Sequence, residues 1–365
     1  MRPAGRKSRK SVSRPVRRPR SVFGANGSRK GWKNCAGNNH LPEIRRDPLS
    51  GRISLIAPER GQRPTDFSVS EEKVEPIRCP FCPGNEELTP PEVLRIPEEG
   101  PWRVRIVPNR YPALSPEAAP PAGGDEFFAA EAGLGHHEVI IETPEHQKSL
   151  ERFSPEEVRL LFEAFRKRAR GLLDQKRWAY LLFFKNRGRR AGASLSHSHS
   201  QLLALPFLPP LLERELRRAE EFYRRTRRCL LCELADREAH GPRLIHLSPH
   251  FVAFQAFAPR QPLETWILPR FHSPNFFSLP PEMEIDLARV LLRVLQLLEK
   301  TLPQFPYNLV FHLEPPSTPE LPYFHWHLEL IPSLTRVAGF EWGAESYIVP
   351  LRPEEAAAFL RDQNP

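Results

Sequence analysis

Residues 194–206, SLSHSHSQLLALP, place two histidines two positions apart at the start of an apolar run. In an extended chain, side chains two residues apart lie on the same face. His197, His199 and Gln201 are therefore predicted to project from one side of a strand. The alternating pattern predicts that this strand carries the chemistry of the protein.

The elements around this segment occur twice in the chain. Residues 154–173 have helical spacing with a serine cap and early glutamates, and the strand-like run 180–185 follows. Residues 280–302 are again helical, and the strand-like run 307–313 precedes a second His-x-His segment, His325 to His327. The order predicts an α+β fold with an internal duplication. We expect a tail at 1–42 and domains at 43–210 and 211–365.

Four of the five cysteines form two C-x-x-C pairs, Cys79 with Cys82 and Cys229 with Cys232, and Cys35 lies in the tail. Without a secretion signal, such pairs indicate metal or redox chemistry and not a disulfide framework. A metal site needs two more ligands for each pair. The candidates in chain order are His146 and His197 for the first pair, and His272 and His325 for the second.

The two candidate ligand sets have similar spacing, since 51 residues separate the histidines of the first set and 53 those of the second. Two cysteines and two histidines close the tetrahedral shell of zinc, so two structural zinc ions are predicted. Other histidines and a glutamate compete for these places: His136 and His137 at the first site, and Glu215, His312 and His327 at the second.

His199 has the chemistry of a nucleophile. A neutral imidazole can attack the α-phosphorus of a nucleotide sugar and form a phosphoramidate, which a second phosphorylated acceptor then resolves with ping-pong kinetics. Zinc on His197 would hold the strand and orient His199. Gln201 cannot titrate, but its amide can donate a hydrogen bond to a phosphoryl oxygen. This combination favours transfer over hydrolysis.

The net charge of +9 comes from the N-terminal tail, because residues 1–42 hold twelve Lys or Arg and no acidic residue. The remainder has 41 basic against 44 acidic residues, which argues against a nucleic-acid-binding face on the body. The tail is interpreted as disordered, as a transit peptide, or as the product of a misassigned start. No apolar run approaches the roughly 18 residues of a membrane span, so we expect a soluble, cytoplasmic protein.

Several longer motifs resemble one known family. The chain is similar to the galactose-1-phosphate uridylyltransferase branch of the histidine-triad superfamily, especially its ADP-glucose phosphorylase-like members. The resemblance covers residues 41–352 and rests on these motifs: RDPLSGRISLIAPERGQRP at 46–64, CPFCPGNE at 79–86, VPNRYPAL at 107–114, HEVIIETPEH at 137–146, FFKNRGRRAGASLSHSHSQ at 183–201 and AGFEWGAESY at 338–347.

The resemblance implies two tandem histidine-triad-like domains, each an antiparallel sheet with flanking helices, in a homodimer. It implies that His199 is the nucleophile and that Gln201 contacts the phosphate. Further residues are implied to bind substrate: Asn109, Asn186 and Ser194 the nucleotide, and Arg60 and Arg63 the phosphates, which suit guanidinium groups. Near the glycine-containing loop, four more cations can add positive charge: Lys185, Arg187, Arg189 and Arg190.

The chain departs from the family pattern at three positions and leaves alternatives open. Ser198 and Ser200 stand where the family commonly has proline and glycine, and Tyr347 stands where it usually has glutamine. Family members without the second C-x-x-C pair bind their second metal through a Glu and three His, which here would be Glu215, His312, His325 and His327.

The favoured function is UDP-glucose–hexose-1-phosphate uridylyl transfer in galactose metabolism, with a nucleotide sugar and a sugar phosphate as substrates. The alternative is adenylyl transfer from ADP-glucose to inorganic phosphate. Two other interpretations are a zinc-stabilised nucleic-acid-binding protein and a paralogue that binds nucleotides without turnover. The nucleic-acid interpretation leaves His199 and Gln201 unexplained.

Overall fold

The structure is a computed structural model that describes residues 42–58, 60, 78–119, 127–316 and 321–363. Residues 1–41, which form nearly all of the basic tail and include Cys35, lie outside the described residues, and so does Arg63. No helix within the described ranges is both long enough and apolar enough to cross a membrane.

The first half of the chain contributes seven strands and one long helix to the described structure. They are β1 (Glu43–Arg46), β2 (Ile53–Ile56), β3 (Leu94–Ile96), β4 (Val104–Pro108), β5 (His136–Ile141), α1 (Pro155–Leu173), β6 (Tyr180–Arg187) and β7 (His199–Leu205).

The second half contributes six strands and five helices. They are α2 (Pro210–Thr226), α3 (Leu230–Glu238), β8 (Leu244–Leu247), β9 (Phe251–Gln255), β10 (Thr265–Pro269), α4 (Pro281–Thr301), β11 (Tyr307–His312), β12 (His327–Pro332), α5 (Gly339–Ala344), β13 (Ser346–Val349) and α6 (Pro353–Asp362).

Ten of these strands form one sheet in the order β3-β4-β5-β7-β6-β11-β12-β10-β9-β8. All its pairings are antiparallel. From one edge to the middle the strands are β3, β4, β5, β7 and β6, and from the other edge they are β8, β9, β10, β12 and β11. In both halves the last two strands are therefore exchanged relative to their order in the chain. The two halves meet in the middle, where β6 pairs with β11. This confirms the predicted α+β fold of two tandem units, and joins them through a continuous sheet.

Helices α1 and α4 cover one face of this sheet, and each follows the predicted pattern. Ser154 caps α1: its hydroxyl accepts from the Glu157 N–H, and the Glu157 carboxylate accepts from the Ser154 N–H. The apolar stripe of α1 includes the fully buried Phe162 and Phe165, and it packs on the sheet and on α4. One hydrophobic core therefore extends over both halves.

The opposite face of the sheet is covered differently in the two halves. In the first half, Phe81 and Trp102 pack on alternate residues of β4 and β5. In the second half, α2 and α3 pack on alternate residues of β9 and β10. The loop that carries the first cysteine pair therefore lies directly over the first-half strands.

A small sheet of order β1-β2-β13 joins the two ends of the described chain. Its strands contact the second half, because the Ser54 hydroxyl donates to the Pro259 carbonyl at 2.7 Å and Arg45 bonds Glu354 of α6 at 2.9 Å. The expected division into 43–210 and 211–365 stays a prediction, and this packing of β1 and β2 on the later residues was not foreseen.

Candidate active site and metal centres

Strand β7, the predicted reactive strand, has two chemically different faces. On one face, the rings of His197 and His199 both contact Phe81, with centroids 6.0 and 5.3 Å from its ring. On the other face, the hydroxyls of Ser198 and Ser200 both donate to the carboxylate of Glu142. The structure thus has the predicted alternation, although regular strand pairing begins only at His199.

The imidazole of His199 is held in one tautomer. Its Nδ1 lies 2.8 Å from the carbonyl oxygen of His197, so Nδ1 carries the proton and donates it. The lone pair of the neutral ring is then on Nε2. Burial of the ring and, secondly, the nearby Lys185 ammonium lower the pKa of His199 to about 4. The ring is therefore a neutral, oriented base.

Gln201 makes a hydrogen bond that the sequence did not predict. Its Oε1 lies 2.7 Å from Nε2 of His137, whose Nδ1 accepts from the Ala113 N–H at 3.0 Å. Since Nδ1 is an acceptor, Nε2 of the neutral ring carries the proton and donates to Gln201. The carbamoyl oxygen of Gln201 is thereby used, and its NH₂ group is available as a donor.

Asn109 lies beside the same histidine, with its Nδ2 3.1 Å from Nε2 of His137; because both nitrogens carry protons in this tautomer, this is a contact and not a hydrogen bond. The Asn109 oxygen accepts from the Tyr111 N–H at 2.9 Å. His137, one of the expected competitors for the first metal, thus lies between two predicted site residues. Sequence reasoning missed this role of His137. The pairing of β5 with β7 places His137 opposite Leu203, and this brings it to Gln201, which is 64 positions away in the sequence.

The first predicted ligand set is assembled. Cys79, Cys82, His146 and His197 each offer one ligand atom, and these atoms lie within 4.8 Å of one another. The Cys82 sulfur lies 3.3 Å from Nδ1 of His146 and 3.7 Å from Nδ1 of His197. Sulfur and nitrogen on a tetrahedral zinc would be about 3.5 Å apart, given Zn–S and Zn–N bonds of about 2.3 and 2.0 Å. The cluster has the dimensions of a metal site.

The histidine ligands of this cluster are oriented by further hydrogen bonds. Nε2 of His197 donates to the Thr143 carbonyl at 2.7 Å, which leaves Nδ1 directed at the cysteines. Nε2 of His146 lies 3.3 Å from the Ser196 hydroxyl. Such partners select the tautomer that a metal requires.

The second predicted set is assembled in the same way. Cys229, Cys232, His272 and His325 bring their ligand atoms within 4.8 Å of one another. The Cys232 sulfur lies 3.4 Å from Nδ1 of His325 and 3.6 Å from Nδ1 of His272. All four cysteines of the two clusters are free thiols. Each cluster can hold one metal ion without a disulfide.

The alternative ligand set for the second metal is only partly assembled. His325 belongs to the cysteine cluster, whereas Glu215, His312 and His327 meet Glu329 within the same 4.8 Å limit. Nδ1 of His312 lies 2.9 Å from Glu215 and its Nε2 lies 3.2 Å from Glu329. Burial would lower the pKa of His312, but these two carboxylates outweigh it and raise the pKa to about 10. Arg260 adds a further bond to Glu329.

His327 occupies the place of His199 in the second half, but its surroundings differ. Its ring is 1% exposed and stacks on His312 with centroids 4.3 Å apart, and Trp266 lies on it at 5.1 Å. A phosphorylated substrate has no approach to so enclosed a ring. The second half therefore has a histidine at the position equivalent to His199, but this histidine is enclosed, whereas His199 borders a cavity.

A cavity of about 260 Å³ opens beside His199. Its lining includes the predicted site residues Asn186 and Ser194. The Asn186 oxygen accepts from the Asn308 amide at 2.8 Å across the β6–β11 pairing, which leaves the Asn186 NH₂ group as a donor. Gly192 permits this arrangement, because its φ of 94° and a Cβ 3.4 Å from that NH₂ group both disfavour a side chain.

The cationic residues of this region have separate environments. Arg187 pairs with Glu151 at 2.7 Å and Arg190 bonds the Leu334 carbonyl at 3.1 Å, while Arg189 is exposed at the cavity. Lys185 is only 3% exposed and bonds Glu142 at 2.7 Å, so its charge is neutralised inside the protein. Burial would raise the pKa of Glu142, but Lys185 and the serine hydroxyls bring it below its ordinary value.

The predicted phosphate-binding arginines are not placed at this cavity by the described contacts. Arg60 follows β2, and its N–H donates to the Ala57 carbonyl at 3.0 Å. Arg63 lies outside the described residues. Tyr347 lies in β13 opposite Ser54 of β2, so the small sheet joins it to the segment that leads to Arg60.

Comparisons with known proteins agree on one family. Residues 34–209 match the model of the galactose-1-phosphate uridyl transferase N-terminal domain. An ADP-glucose phosphorylase from Arabidopsis thaliana is 37% identical, over 89% of this chain and 93% of its own. A galactose-1-phosphate uridylyltransferase from Thermotoga maritima is 31% identical, over 88% of this chain and 98% of its own.

Solved structures give the same result. The crystal structure of an Arabidopsis thaliana ADP-glucose phosphorylase with bound ADP-glucose has a TM-score of 0.78 at 36% identity, covering 88% of this chain and 99% of its own. A uridylyltransferase structure has a TM-score of 0.71 at 30% identity, covering 88% and 98%.

Proposed function

Because the chain belongs to the galactose-1-phosphate uridylyltransferase family, we propose that it transfers a nucleoside monophosphate from a nucleotide sugar through a covalent intermediate on His199. The observation that carries the proposal is the hydrogen bond from Nδ1 of His199 to the His197 carbonyl. It places the lone pair on Nε2, in a ring that borders the cavity. The substrates are a nucleotide sugar and a phosphorylated acceptor.

The first half-reaction forms one bond and breaks one. Nε2 of His199 donates its electron pair to the α-phosphorus, and the bond from that phosphorus to the bridging oxygen breaks. The hexose 1-phosphate leaves with the bridging oxygen and its electrons. The nucleotidylated ring becomes an imidazolium, and the His197 carbonyl stabilises its Nδ1 proton. In the second half-reaction an acceptor phosphate oxygen attacks the same phosphorus and the electron pair returns to Nε2.

Gln201 supports this chemistry as a neutral donor. Since its Oε1 accepts from His137, its NH₂ group can bond a nonbridging oxygen as negative charge develops there. A phosphate leaving group needs no strong general acid, so an amide suffices. We also assign Asn109, Asn186 and Ser194 to nucleotide binding and Arg60 and Arg63 to the substrate phosphates.

Zinc is the metal that fits the two cysteine–histidine clusters, because thiolate and imidazole are the ligands zinc prefers. A shell of four protein ligands has no open position, so both ions would be structural. The ion on His197 would fix the residue whose carbonyl orients His199. The other ion would join α3 to the loop before β12.

The donor we propose is ADP-glucose, with inorganic phosphate as acceptor. The sequence alone favoured uridylyl transfer, but the chain is more similar to the ADP-glucose phosphorylase than to the uridylyltransferase, at 37% against 31% identity. UDP-glucose with galactose 1-phosphate is the second candidate pair, supported by the uridylyltransferases among the relatives. The assembly is proposed to be a homodimer in the cytoplasm.

The test is covalent labelling. The protein is incubated with ADP-glucose or UDP-glucose that is radiolabelled in the nucleotidyl phosphate. We expect an acid-labile, base-stable label that inorganic phosphate or galactose 1-phosphate discharges, with ADP-glucose and phosphate the faster pair. His199→Ala should abolish the label and His327→Ala should retain it. Equal labelling of the two variants would refute the assignment to His199.

A further inference from the structure

A buried polar cluster lies behind the reactive strand, on the face of the sheet opposite His199. Its members are Glu142, which directly follows β5, Lys185 of β6, and Ser198 and Ser200 at the start of β7. Their exposures are 2, 3, 6 and 1%. Neighbouring residues two positions away, such as Ile140 and Leu202, belong to the core beneath α1. The cluster thus lies on the helix-covered side of the sheet, and two of its members, Lys185 and Ser198, also border the cavity beside His199.

Lys185 has all three of its N–H donors engaged within this cluster. Its Nζ lies 2.7 Å from the Glu142 carboxylate and 3.0 Å from the Ser198 hydroxyl. The third contact, also at 3.0 Å, is to the carbonyl oxygen of His199. The lysine therefore binds the backbone of the nucleophile and not its ring.

Glu142 completes the cluster from the neighbouring strand. Its Oε2 accepts from Lys185 and from the Ser198 hydroxyl, the latter at 2.6 Å, and its Oε1 accepts from the Ser200 hydroxyl. The two serines flank His199 in sequence, so both neighbours of the nucleophile are fastened to one carboxylate. Three adjacent strands are joined at the point where the ring must be held.

Stability alone gives little reason for this arrangement. Taking a carboxylate and an ammonium out of water costs several kcal/mol per ion, and an apolar pair of similar volume is often as stable or more stable. A buried polar cluster does specify one geometry, because each member has a defined partner. The geometry it specifies here is that of the His199 peptide.

We propose that Glu142, Lys185, Ser198 and Ser200 are positioning residues that hold the backbone of His199 in place for attack on the α-phosphorus. The inference rests on the proposed function. These four residues, called the clamp below, act on His199 from the helix-covered face of the sheet. The His197 carbonyl orients the ring from the opposite face. Together these contacts fix both the position of the His199 backbone and the orientation of its ring. The position matters because a displacement of about 1 Å can lower a reaction rate on the order of 10²-fold.

The test replaces the charged pair by neutral residues of similar shape. In Glu142→Gln/Lys185→Met no charge is left buried alone, so the variant avoids the main cost of a single substitution. Single-turnover labelling with radiolabelled ADP-glucose and UDP-glucose measures formation of the nucleotidyl enzyme. We expect its rate to fall about 10²-fold with the KM for the donor changed less than about twofold, because the side-chain bonds of Glu142 and Lys185 go to the His199 backbone, to one another and to the two serines. Metal content should stay at the wild-type value.

A matched pair provides the control. Glu238 and Arg243 form a largely buried ion pair in the second half, with side chains 1 and 18% exposed, and Arg243 also pairs with Glu354. Glu238→Gln/Arg243→Met removes a similar interaction without touching the reactive strand, and its labelling rate should equal that of the wild type. A wild-type rate in Glu142→Gln/Lys185→Met overturns the positioning role.

A second variant decides the question if the charged-pair variant does not fold. Ser198→Ala/Ser200→Ala keeps the ion pair and removes two hydroxyls that make three hydrogen bonds. We expect labelling to be about tenfold slower, the equivalent of one or two net hydrogen bonds. Unchanged labelling there overturns the proposal. A wild-type protein that takes no label from either donor refutes the proposed function and the clamp together, whereas labelled wild type beside unchanged variants refutes only the clamp.

Discussion

His137 shows how one side chain can determine the direction of another. Its Nδ1 accepts from the Ala113 N–H, so its Nε2 proton points to Oε1 of Gln201. Without that donor the Gln201 amide can rotate and present its oxygen to the phosphate. His137→Phe is expected to slow nucleotidyl transfer about tenfold, as for loss of one hydrogen bond of about 1–1.5 kcal/mol. Single-turnover labelling measures the effect.

The neighbouring His136 provides the comparison for that variant. His136 contacts Trp178 and the Glu138 carboxylate on the opposite face of β5. His136→Phe should leave the labelling rate unchanged. Slow labelling in both variants would show that the strand, and not the bond to Gln201, is the sensitive feature.

Helix α1 is an element whose boundaries follow from local chemistry. Ser154 and Glu157 exchange hydrogen bonds at its first turn, and the helix begins at Pro155. Ser154→Ala removes one acceptor for the N–H groups of that turn, and it should lower the free energy of unfolding by about 1 kcal/mol. Urea titration followed by circular dichroism measures the shift in midpoint.

The same variant should leave labelling of His199 at the wild-type rate, because the cap lies at the helix end and the sheet keeps its core contacts. Ser154→Asp serves as the matched substitution, because it keeps an acceptor oxygen at the cap position and should retain the wild-type stability. An equal loss of stability in both variants would contradict the capping role.

At the scale of the whole molecule, the two cysteine–histidine clusters, each proposed to bind a metal ion, differ in their relation to His199. The first includes His197, whose carbonyl orients His199, whereas the second joins α3 to the loop before β12. Cys82→Ser should lose one metal ion and most of the labelling. Cys232→Ser should lose the other ion and lower the melting temperature, with labelling of the folded fraction retained.

Metal analysis of each purified variant accompanies the labelling assay. Wild-type protein should contain about two zinc ions per chain and each variant about one, as closed Cys₂His₂ sites require. Full labelling in Cys82→Ser with one ion lost would separate the first metal from the orientation of the nucleophile.

Local chemistry made much of this fold and site predictable from the sequence. Helical periodicity with a Ser154 cap located α1, and the order of cysteines and histidines selected the two clusters that the structure assembles. The alternation around His199 placed it on one face with His197. These features depend on short stretches of chain or on ligand chemistry, so a single sequence contains them.

Only the tertiary structure decided which distant groups meet those residues. Pairing of β5 with β7 brought His137 to Gln201, and pairing of β6 with β7 brought Lys185 to the His199 carbonyl. Glu142 gave no signal beyond its place in a family motif. By itself the sequence determined the main elements and selected the residues of the two cysteine–histidine clusters, and it is the source of the proposal that His199 is the nucleophile. The strand register and the burial of charges, which fix the orientation of that nucleophile, depend on contacts between segments far apart in the chain.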